Sequence, residues 1–115
     1  MAAAPRAATV QLGRQWHALH RAAAAVAALA SSTDPIESAE TRAFPARVDA
    51  AVDWRGSLVR QGVADLAAVM EPGLTALIAV HQRGGHPEAP ARALLHEFIS
   101  ARDSLLGLIG SMQDE

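Results

Sequence analysis

Leu12, Trp16, Leu19, Ala23, Val26 and Ala30 follow one another at alternating steps of four and three. Those steps return a side chain to one face of an α-helix, so they predict a helix from about Ala8 to Ala30 with a single apolar seam. The second half of the seam is mostly alanine, which lets another helix come close but buries little area per residue. Ser31, Ser32 and Thr33 mark the end of the pattern. Asp34, Pro35, Ile36 and Glu37 then supply an N-cap residue, a proline at the first helical position and a capping-box glutamate. A short second helix is expected from there, ending where Pro45 displaces Phe44 from helical geometry.

Val48, Val52, Val59, Val63, Leu66 and Met70 predict a further helix from about Ala46 to Val69, interrupted by Arg55 and Gly56. Pro72 removes the N–H due to the Ala68 carbonyl and Gly73 adds to the penalty, so a break or strong kink is expected, with Glu71 capping a new segment beyond it. Leu74, Leu77, Ile78 and His81 stripe that segment, and Gly84 with Gly85 stops it. Pro87 and Pro90 open a last helix, where Leu94, Phe98, Ala101, Leu105 and Leu108 repeat the four-three spacing, widened by Leu95, Leu106 and Ile109. Glu88 and Arg92 are expected to pair across its opposite face. No strand alternation appears. The pattern predicts an all-α fold, an antiparallel bundle of about four main helices with one extra short helix, occupying residues 1–115 as a single domain behind a frayed lead of residues 1–7.

Composition adds a question of stability. Of 58 hydrophobic residues 27 are alanine, so the core is thin and association through the seams is the simplest remedy. The first and last helices are expected to pack directly or to form a dimer face, with Leu12, Trp16, Leu19, Trp54, Leu94, Phe98 and Leu105 as contact residues. The expected partner is a second copy or another helical protein. Charge is lopsided: the first 33 residues hold Arg6, Arg14 and Arg21 and no acid, whereas the rest sets seven arginines against twelve carboxylates. Three arginines are too few to point to nucleic acid. A basic first helix does match the acidic later ones, in the same chain or a twin.

All ten basic residues are arginine, and arginine with alanine in this abundance is what GC-rich bacterial coding produces. With no cysteine, disulfides, a thiolate nucleophile and a cysteine-bound zinc are excluded. The uncharged stretches, Ala22 to Thr33 and Ser104 to Gln113 among them, fall short of the roughly 20 residues a bilayer requires, and no apolar signal region follows Arg6. A cytoplasmic protein without a membrane span is the expectation.

Candidate chemistry centres on the five histidines. His17 and His20 have i, i+3 spacing, but His17 falls with Arg14 and Arg21, His96 with Glu88 and Arg92, and His86 in a loop, leaving only His81 on an apolar stripe. There is no Glu-x-x-His pair, and Ser100 stands where a zincin-like string begun by His96 and Glu97 needs its second histidine. No metal and no cofactor are expected; a histidine-based metal or haem binder is the alternative. His17, Ala18, Leu19, His20 and Arg21 resemble the phosphorylated helix of histidine phosphotransfer domains, which are four-helix bundles of about this length. That resemblance implies His17 as phosphoryl acceptor, with His20 and Arg21 where the family has lysine and glycine. Trp54, Arg55 and Gly56 form a Trp-x-Gly triplet that resembles the hinge of small secreted helical-hairpin proteins, although the chain lacks their C-terminal tyrosine. Read from the residues alone, the tryptophan anchors helix contacts and the glycine permits a close crossing. Asp49 and Asp53, four apart, read as one solvated, charge-mixed helical face. No Ser-His-Asp order, phosphate-cradling glycine loop or Walker-type lysine is present, so the chain reads as non-enzymatic.

Overall fold

The computed structural model describes residues 7–32, 39–51 and 53–110, which form α1 (Ala7–Leu29), α2 (Ala39–Ala50), α3 (Trp54–Gln82) and α4 (Glu88–Gly110). The expected capping box at Asp34 to Glu37 lies outside the described residues, as do Val52 and residues 1–6 of the lead. The fold is an all-α bundle in which α1, α3 and α4 pack on one another and α2 touches all three.

α1 forms as its seam predicts. Leu12, Trp16, Leu19, Ala23, Val26 and Ala30 are all buried. The helix closes with Ser31 at φ 54°, where the Ser32 N–H donates to the Ala27 carbonyl at 2.9 Å and the Ser31 N–H to Ala28 at 3.2 Å. This is the paired closure usually built on glycine, made here on a serine. Arg92 does not pair with Glu88 but donates from Nη2 to the Ala30 carbonyl at 3.4 Å, placing a cation at the negative end of α1.

Two prolines behave differently from expectation, each for a visible reason. α2 runs straight through Pro45 instead of ending at Phe44. Pro45 has no N–H for the Thr41 carbonyl one turn back, and Trp16 Nε1 donates to that carbonyl at 2.7 Å. The same indole stacks on Phe44, with ring centroids 4.0 Å apart and planes 17° from parallel. α3 likewise continues through Pro72, so the separate helices expected on either side of it are one helix of 29 residues. Here Pro72, Ala68 and Glu71 are all exposed, and water can serve the carbonyl that the proline leaves without a donor. Glu71 caps nothing: its carbonyl accepts from Thr75 Oγ1 at 3.0 Å within the helix.

The true boundary falls between α2 and α3. Asp53 caps α3, its Oδ1 accepting from the Arg55 N–H at 3.0 Å, so the expected helix from Ala46 to Val69 divides at this point. Asp49 and Asp53 therefore do not share a helical face; Asp49 instead faces Arg60 at 3.7 Å. α3 ends as the sequence indicates, with Gly84 at φ 78° and the Gly85 N–H donating to Val80 at 2.9 Å. The buried Pro87 then starts α4, its carbonyl accepting the Ala91 N–H at 2.9 Å, while Pro90 sits in the first turn where its missing N–H costs nothing.

α4 turns one step further than its four-three seam implies. Ala91, Leu95, Phe98 and Ile109 are buried, whereas Leu94, Ala101, Leu105 and Leu108 are half-buried. Leu94 and Leu105 seat on glycines of α3: a Cβ at Gly73 would lie 2.8 Å from Leu94 Cδ2, and one at Gly62 would lie 2.7 Å from Leu105 Cδ2. The two notches run in opposite order along α3 and α4, so this pair is antiparallel and close.

Candidate functional site

The histidines do not converge. His20, not His81, is the buried one, 5% exposed, and His81 is exposed in the last turn of α3. His20 follows Trp16 by one turn, and its Nδ1 lies 2.9 Å from the Trp16 carbonyl. A carbonyl only accepts, so Nδ1 is the donor of this contact. The imidazole meets the Trp16 and Phe98 rings edge-on at 4.8 and 5.4 Å, which makes it a packing element of the aromatic core. His17 is exposed beside a shallow cavity of about 380 Å³ lined by Gly13, Trp16, Arg42 and Pro45. His86 and His96 are exposed. Among the described residues no group of three or more His, Asp or Glu side chains is placed to hold a metal ion.

The expected contact residues divide by depth. Leu12, Trp16, Leu19 and Phe98 are buried in the chain's own core, so within one copy they hold the bundle together. Leu94 and Leu105 stay half-open in their glycine notches, and Trp54 is 64% exposed at the start of α3, with the Arg55 guanidinium 5.7 Å from its ring. Among the described residues, Trp54 thus stands at the surface and not in the core. Gly56, in contrast, does permit a close crossing, since a Cβ there would lie 3.3 Å from Ala51 Cβ at the α2–α3 turn.

What the sequence pattern does not disclose is an open groove between α3 and α4. α1 covers one side of this helix pair, and no residue of α1 or α2 lines the groove on the other side. One stretch of it, about 480 Å³, lies among Gly62, Asp65, Leu66, Val69 and Ala101; the next, about 510 Å³, lies among Gly73, Ala76, Leu77, Val80 and Ala93. Glu97 borders both stretches. At 1.5 Å per residue the walls from Gly62 to Val80 run about 27 Å. By helical phase the exposed Leu58 and Trp54 extend the same stripe of α3. Glycine and alanine keep the floor shallow, and the charged side chains on its walls are two acids, Asp65 and Glu97, with His96 at the rim.

α3 also contains an 18-residue window of mean hydropathy 1.6, long and apolar enough by length and composition to cross a membrane. Its buried residues, Val59, Val63 and Met70 foremost, lie on the side that packs into the bundle. That side is spoken for, while the exposed Leu58 and Val69 lie on the groove side. No family model, curated protein or solved structure matches this chain.

Proposed function

We propose that this chain is a small non-enzymatic association module that works by self-assembly through the α3–α4 face, with the homodimer as its smallest assembly. The observation that carries the reading is the groove itself: a long apolar trough, with Leu58 at 51% and Val69 at 48% exposure along it, that none of the described residues covers. Exposed apolar surface that continues along one face marks an interaction site, whereas isolated apolar side chains do not. The thin, alanine-rich core gives a second reason for association, since covering the groove adds burial that one copy cannot supply.

Light scattering on the full chain across a concentration series tests this. The expected mass rises from monomer to dimer or beyond, and Leu58→Asp with Val69→Asp holds it at monomer without loss of helical content. A wild-type chain that stays monomeric and melts cooperatively sinks the reading.

A further inference from the structure

We infer, resting on that reading, that the occupant of the α3–α4 groove is the outer face of α1 from a second copy. α1 spans Ala7–Leu29 without a single acid, and Val10, Arg14, His17, Arg21 and Ala28 fall within one narrow, exposed stripe on the side away from its own core. From Val10 to Ala28 that stripe runs about 27 Å, the same length as the groove walls from Gly62 to Val80. Its chemistry is the complement of the groove's. The stripe carries two guanidiniums on a helix rich in alanine, and the groove carries the carboxylates of Asp65 and Glu97 on a floor of glycine and alanine. The glycines and alanines of the groove leave room for the longer side chains of the stripe, and arginine meets a carboxylate with paired donors. A groove-to-groove pairing instead brings Asp65 and Glu97 of two copies onto one another, which like charges oppose.

The stripe and the groove lie on opposite sides of the bundle, because α1 covers the far side of the α3–α4 pair. A contact between them is therefore head-to-tail. Two copies joined this way leave one stripe and one groove free, so assembly continues past the dimer until a ring closes or the chain of copies ends.

Two double variants of exposed residues test the assignment: Arg14→Glu with Arg21→Glu on the stripe, and Asp65→Arg with Glu97→Arg in the groove, each first shown by circular dichroism to keep wild-type helicity. In sedimentation velocity the wild type should grow past dimer with concentration and shrink with added salt. Each variant alone should associate at least about tenfold more weakly. An equimolar mixture should recover association, because it restores one wild-type stripe against one wild-type groove. If the wild type associates and the stripe variant associates equally well, α1 is not the occupant while self-assembly stands. If the wild type is monomeric at every concentration, both readings fall.

Discussion

The hydrogen bond from Trp16 to Thr41 makes a sharp claim about energetics: a side-chain N–H on α1 replaces the backbone N–H that Pro45 lacks. Trp16→Phe keeps a ring against Phe44 but removes the donor, in a residue that is 4% exposed. Withdrawing the donor from a buried carbonyl costs about 1–3 kcal/mol, and the missing ring atoms add about 1–2 kcal/mol of lost packing. Together these approach a large part of the stability of a small domain. Pro45→Ala restores an N–H one turn after Thr41 and relieves the helix of its proline. Because Trp16 already serves the carbonyl, the gain should stay below the about 3 kcal/mol that separates alanine from proline inside an isolated helix. In the Pro45→Ala background, Trp16→Phe should lose only the packing share, so its cost should fall by about 1–3 kcal/mol. Urea denaturation of the four proteins, followed by far-ultraviolet circular dichroism, gives the coupling directly. If Trp16→Phe costs the same in both backgrounds to within about 0.5 kcal/mol, the indole is not standing in for the backbone donor.

Ser31→Gly should raise stability by about 0.5–1 kcal/mol, because Ser31 holds a left-handed φ of 54° that glycine adopts without strain; an unchanged or lower denaturation midpoint would contradict that account of the α1 closure. Two glycines should respond with opposite sign. Gly107→Ala meets nothing within 4 Å and should gain about 0.5–1 kcal/mol in helix propensity, whereas Gly84→Ala forces a side chain to φ 78° and should lose about 1 kcal/mol, both readable as shifts of the urea midpoint. Phe98→Ala, at a fully buried position between His20 and Arg102, should cost about 3–5 kcal/mol and leave little folded protein at ambient temperature, readable as a lost thermal transition.

Local signals carried the helices well and the breaks poorly. The α1 seam, the glycine closure after α3 and the prolines opening α4 are all decided within a turn or two of the residue concerned, so spacing alone locates them. Pro45 and Pro72 are not decided locally. One is compensated by an indole 29 positions earlier in the chain, the other lies on an exposed turn of α3, and neither circumstance is visible in the neighbouring residues. His20 was hidden by its polarity: it follows Trp16 by four and lies on the buried face, but a ring that bonds to its own helix's carbonyl passes for a surface residue in a pattern of apolar and polar letters. The α4 seam was ambiguous because Leu94 and Leu95 begin two adjacent apolar stripes, of which the Leu95 stripe turns into the core and the Leu94 stripe seats on the glycine notches of α3. The groove was the least legible of all. Its walls are apolar and small whether they face another helix or solvent, so periodicity does not say which.

Those notches also work as a two-point key. Gly62 and Gly73 are eleven residues apart on α3, and Leu105 and Leu94 are eleven apart on α4, so both leucines seat together or not at all. Sliding α4 by one helical turn in one direction would set them against Leu58 and Val69, and in the other against Leu66 and Leu77, and no small shift recovers even one notch. A hairpin whose facing side chains are otherwise small or aliphatic, and which by composition alone would tolerate many alignments, is thereby confined to one.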